Sequence, residues 1–304
     1  MSQRNGAREL GLIVAALAVS VHFLTPTPAV AVTVIAAVAT AAGTGRLIGN
    51  WRPWRMPLFP LALPVLATLA IAGLARFVGP AQALVVIMPA GWLLLAWVVD
   101  LELYGFYQVP PSERPALEAL AKPVRRVRTR RRPESELLQI VVDEAIPESE
   151  AAPHPRSLAV RTAALGLTFL GFVAVGGFIP NALGDSGQTL ALQDLAAVVA
   201  ANAIVAATVG YRIASLVAPG ARDRMVRVFA VGEYAVPVGA ATWLLRTMSL
   251  PRLFIPALLT LVVYVVTILR ESPEPVLVNR RLLQELAVLA AAAAIAVAWG
   301  LMAR

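Results

Sequence analysis

With 304 residues, of which 59% are hydrophobic and only 14% charged, this chain is too apolar for a soluble domain, where charged residues run at about 25%. It contains no Cys, which excludes disulfides, thiolate catalysis and Cys-based metal sites. A formal net charge of +8 would suggest nucleic acid in a soluble protein, but here the positive-inside rule accounts for its sign and no nucleic-acid partner is expected.

Apolar runs long enough to cross a bilayer recur nine times, at roughly 10–24, 29–45, 57–75, 81–99, 158–180, 194–216, 228–245, 253–269 and 283–302. Arg4 and Arg8 put the N-terminus inside, and Thr25-Pro26-Thr27-Pro28 turns the chain outside. A signal peptide is the alternative reading of the first span, since Ala29-Val30-Ala31 resembles a cleavage site. Cleavage there would truncate the second span, so an uncleaved anchor is expected. Trp51-Arg52-Pro53-Trp54-Arg55 returns the chain at headgroup depth, Gly79-Pro80 makes the next outer turn, and Asp100, Glu102, Tyr104, Phe106 and Tyr107 end span four at an inner aromatic girdle.

Residues 103–157 form the one long polar segment and divide the chain into a first membrane half, 1–102, and a second, 158–304. Within it Lys122, Arg125, Arg126, Arg128, Arg130, Arg131 and Arg132 make seven cations in eleven residues, followed by Glu134, Glu136, Asp143, Glu144, Glu148 and Glu150. Beside an inner leaflet each cation attracts anionic lipid by about 1 kcal/mol. No aromatic residues interleave with these arginines as they do in single-strand nucleic-acid binders, so lipid headgroups, the neighbouring acidic block or a protein partner are the expected contacts.

Alternating the gaps places 22 of the 26 Lys and Arg on the cytoplasmic side and only Arg76, Arg246, Arg252 and Arg304 outside. The sorting supports both the span count and an N-inside, C-outside orientation. The expected architecture is an all-α, polytopic bundle of about nine spans. Its expected location is a bacterial cytoplasmic membrane, because one Lys against 25 Arg in an Ala- and Leu-rich chain reads as the coding bias of a GC-rich bacterium. Spans one to four and five to eight each begin inside and contain two hairpins, the pattern of a four-plus-four parallel repeat.

Candidate chemistry inside the spans is sparse. Glu233 lies about 9 Å inside span seven, where a carboxylate costs on the order of 2.5–3.5 kcal/mol and needs a partner. Two readings stand: a structural pair with Arg212 on the adjacent span, or a coupling site in which Glu233, Asn202 and Tyr211 converge on a water-accessible cavity. Asn202, near the middle of span six, is also explained as packing glue between helices. Arg161 and Glu285 are expected to anchor at the interface. Gly166, Gly171, Gly176 and Gly177 make a small-residue face on span five for close helix contact.

No His-Glu-x-x-His, Asp-rich Mg²⁺ motif or nucleophile elbow is present. Gly43-Thr44-Gly45-Arg46 lacks the strand and Lys of a phosphate loop, and the only histidines are His22 and His154. No catalytic residues, cofactor or metal are therefore expected. A non-enzymatic membrane component with a docking loop leads, a permease using an intramembrane carboxylate follows, and a lipid-modifying enzyme built on Asp100 and Glu102 comes last.

Overall fold

A computed structural model describes residues 3–48, 59–107, 155–179, 190–217, 224–248, 250, 254–271 and 280–302. Among these there are long helices and no strands. They are α1 (Gln3–Ser20), α2 (Pro26–Leu47), α3 (Phe59–Phe77), α4 (Met88–Tyr107), α5 (Pro155–Phe178), α6 (Leu192–Val217), α7 (Arg224–Thr247), α8 (Phe254–Glu271) and α9 (Arg280–Met302). The molecule is an all-α helical bundle. Seven of the helices are long and apolar enough to cross a membrane, and α8 carries a shorter apolar stretch, Phe254–Arg270.

Proline shapes several of these helices without ending them. A short turn, Pro80–Gln82, and a π-helical stretch, Ala83–Ile87, lead into α4 just before Pro89. A ring without an N–H cannot continue the α register, and a π-turn absorbs the mismatch. Pro64 lies inside α3 and Pro237 inside α7. The missing N–H of Pro237 frees the carbonyl four residues earlier, which belongs to Glu233.

Each half has the same neighbour order. Helices α1, α2, α3 and α4 pack in a ring, each against the next and α4 against α1; α5, α6, α7 and α8 do likewise. A four-plus-four repeat requires this order, but α1 also packs against α3, and no equally extensive contact joins α5 to α7. The halves meet mainly where α3 packs against α5 and α6. Leu63, Leu66 and Ile71 of α3, Leu167 and Phe172 of α5, Ile213 of α6, Tyr234 of α7 and Leu259 of α8 form one continuous core.

The outside of the bundle is apolar too. Val34, Ile35 and Val38 on α2, Val85, Val86 and Leu93 before and within α4, and Phe229, Val236 and Trp243 on α7 are all exposed. Soluble monomers rarely expose apolar surface of this extent, whereas acyl chains match it. The chain is an integral membrane protein, and a lipid bilayer is its environment.

Candidate functional site

The charged side chains of the bundle gather at its two ends. One end collects the last turns of α4, α6 and α8 with the first turns of α7. Here Glu102, five residues before the end of α4, meets Arg212, five residues before the end of α6. Arg212 Nε donates to Glu102 Oε1 at 2.8 Å and Nη2 to Oε2 at 2.7 Å, a two-pronged match between planar groups. Arg212 Nη1 donates to Ser215 Oγ at 3.1 Å, and that hydroxyl donates back to the Arg212 carbonyl at 2.7 Å. The side chains are only 1% (Glu102) and 5% (Arg212) exposed. Two ions so far from water persist only with this degree of mutual satisfaction, because desolvation costs several kcal/mol for each, on the order of their attraction.

Arg212 is therefore not the partner of Glu233, which corrects the pairing expected from their similar depth. Two residues on adjacent helices at one depth meet only if they share a face, and depth alone does not give the face. Glu233 Oε2 instead accepts from Arg270 Nη1 of α8 at 2.7 Å, while Arg270 Nη2 donates to the Val226 carbonyl at 3.3 Å. The Glu233 side chain is 54% exposed, on the outside of α7. Its neighbour Tyr234 points the other way: fully buried, its ring lies against Gly210 of α6, where any Cβ would come within 2.5 Å of the ring. The Tyr234 hydroxyl shares a hydrogen bond with Thr267 Oγ of α8 at 2.9 Å.

Asn202 is buried and donates from Nδ2 to Thr242 Oγ at 3.4 Å, with Thr242 donating onward to the Val238 carbonyl at 2.7 Å. This contact lies eight residues along α6 from the Gly210–Tyr234 contact, about 12 Å at 1.5 Å per residue. Tyr211 is half-buried on α6. Asn202 is thus set apart along the bundle from the level of Tyr234 and its neighbour Glu233. Asp100 is half-buried near the end of α4, and Glu102 beside it is engaged by Arg212. Among the described residues no group of three or more His, Asp or Glu is arranged to hold a metal ion. The seven cations of 122–132 lie outside the described residues.

The opposite end carries a site that sequence reading passed over. Arg76, in the last turn of α3, donates from Nε to the Gly177 carbonyl at 3.1 Å and from Nη1 to the carbonyls of Val21 and Leu24 at 3.4 and 3.3 Å. The C-terminal ends of α3 and α5 converge here with the 3-10 turn Val21–Phe23 that follows α1, and helix ends present carbonyls and the negative end of a dipole. One guanidinium, carried on the end of α3, bonds the end of α5 and the turn after α1. His22 adds a bond from Nδ1 to the Ala75 carbonyl at 2.7 Å. A carbonyl only accepts, so the ring proton sits on Nδ1. Arg246 also lies in the last turn of its helix, α7. Of the four arginines on the expected outer side, the two that lie among the described residues, Arg76 and Arg246, both fall in the last turn of a helix. That position could have been found in the sequence by asking where each outlying arginine falls along its span.

At this same end the halves touch backbone to backbone at Gly73 and Gly177. A Cβ on Gly177 would fall on the Gly73 carbonyl oxygen, and one on Gly73 on the backbone of Ala174. Gly171 is tight against Val205, whereas Gly166 faces open space, so of the glycines on this helix those toward the Arg76 end make the close contacts. No protein family, no curated protein and no solved structure matches this chain.

Proposed function

We propose that this protein is a non-enzymatic, multi-span component of a bacterial cytoplasmic membrane. Its N-terminus is inside, and its loop 103–157 docks onto anionic lipid headgroups through Lys122, Arg125, Arg126, Arg128, Arg130, Arg131 and Arg132. One observation carries the reading: the two carboxylates expected to do chemistry in the bundle, Glu102 and Glu233, are each engaged by an arginine of a neighbouring helix. Both carboxylates join neighbouring helices, and the largest block of charge in the sequence is in the loop. The permease reading is less favoured, because the Glu233 carboxylate it relies on is already engaged by Arg270.

The absence of native Cys gives a direct test. Full-length protein carrying Gln139→Cys, labelled with an environment-sensitive fluorophore, is reconstituted into phosphatidylcholine vesicles with increasing phosphatidylglycerol. Emission is expected to shift blue as the anionic fraction rises. The shift should shrink in salt, because surface charge is screened over about 8 Å at physiological ionic strength. It should disappear when the seven cations are changed to Gln. A signal indifferent to phosphatidylglycerol and to the substitutions would sink the docking role.

A further inference from the structure

Beyond the packing of α3 on α5 and α6, two contacts join the halves at opposite ends of the bundle, and they are of different kinds. At the Arg76 end the halves touch backbone to backbone, Gly73 against Ala174 and Gly177, and the Arg76 guanidinium donates across the seam to the Gly177 carbonyl. There is no side chain to rotate away between the two glycines, so separation there means pulling whole helices apart. At the other end, α4 and α6 make little direct contact, and α3 packs against both. What joins them is the pair of side chains Glu102 and Arg212.

Packing registers place this pair along the bundle axis. Gly91 of α4 lies against Ile71 of α3. The two helices run antiparallel, so Glu102 is level with Pro60, in the first turn of α3. Gly171 of α5 lies against both Val205 of α6 and Leu66 of α3. Counting antiparallel along α6 and parallel along α3, Arg212 is level with Phe59. The pair therefore bridges the halves where the helix that separates α4 from α6 begins. The segment 103–157 leaves α4 and enters α5 at this same end.

We propose that Glu102–Arg212 is a releasable latch between the halves, set against a fixed contact at Gly73–Gly177 and Arg76, so that the bundle opens at the loop end alone. A buried ion pair is a poor choice for stability, because apolar side chains of similar volume hold helices as well or better. It suits a joint with two positions. Closed, the fork satisfies both ions. Open, each ion lies within about 8 Å of the end of its own helix, where headgroup water receives it and an arginine reaches it by extending. The same pair at mid-membrane would have no such second position. This inference does not depend on what the loop binds.

Distance measurements between spin labels in lipid nanodiscs test it, using the full chain with two introduced cysteines. Labels at Tyr104 and Tyr211 report the latch end; labels at Phe77 and Ile179 report the fixed end. Glu102→Gln, which removes one ion while keeping the shape, is expected to add a second, longer population at the latch end and leave the fixed end unchanged. Arg212→Lys, which keeps the charge but loses the fork, is expected to do the same to a smaller extent, and it carries the test if Glu102→Gln does not fold. The reversed pair E102R/R212E is expected to restore the short distance. Unchanged latch-end distances in both single variants overturn the proposal. So does broadening at both ends together, which would mark general loosening.

Discussion

Glu102–Arg212 and Glu233–Arg270 have the same shortest contact, 2.7 Å, and lie at the same end of the bundle, yet their surroundings make them different interactions. The first joins the halves and excludes water; its glutamate is 1% exposed. The second joins neighbours α7 and α8 within one half, and its glutamate is 54% exposed. Distance is thus a poor guide to what an ion pair contributes. What decides is the fate of the remaining carboxylate when its arginine is removed: Glu233 left alone turns to the interface, whereas Glu102 left alone is a buried, unpaired charge.

The largest expected effect follows from that difference. Arg212→Leu alone should lose about 3–5 kcal/mol of stability, read by unfolding of the purified protein in detergent, because it strands Glu102. The double variant E102L/R212L should recover most of that loss or exceed the native protein. A double variant as unstable as the single one would mean that the pair is worth more than its shape. An intermediate effect belongs to the opposite end. Gly177→Ala drives a methyl into the Gly73 carbonyl and should cost about 1–3 kcal/mol, the range for overpacking a close contact, with α3 and α5 forced apart. Native-like stability in this variant would show that the halves are less tightly fixed there than at the latch. The smallest effect is expected for Glu233→Gln, under about 1 kcal/mol and smaller still in high salt. A loss as large as that of Arg212→Leu would erase the contrast between the two pairs.

Residues that look alike in sequence are separated by which way they face. Glu233 is the more conspicuous carboxylate, standing among apolar residues with Tyr234 and Pro237 beside it, while Glu102 looks like one more member of an aromatic and acidic girdle. The structure inverts their importance. Glu102 is the buried ion because α4 turns it toward α6, and Tyr234 rather than Glu233 faces the core because successive helix positions are about 100° apart. Gly166 and Gly177 share a pattern on one helix, but only Gly177 meets a neighbouring backbone.

The sequence by itself determined the class of molecule: an all-α bundle of long apolar helices, divided by one polar segment. Those properties are set by composition along the chain, since a bilayer demands long apolar runs and internal backbone hydrogen bonding whatever the helices later touch. Helix partners were settled only in the tertiary structure: Arg212 with Glu102 across the halves, Arg270 with Glu233 within one, and Arg76 with the end of α5 and the turn after α1. The physical reason is that a membrane-spanning helix forms before its neighbours are chosen. Its depth is written in its own residues, but its rotation and its partners depend on how every other helix packs against it.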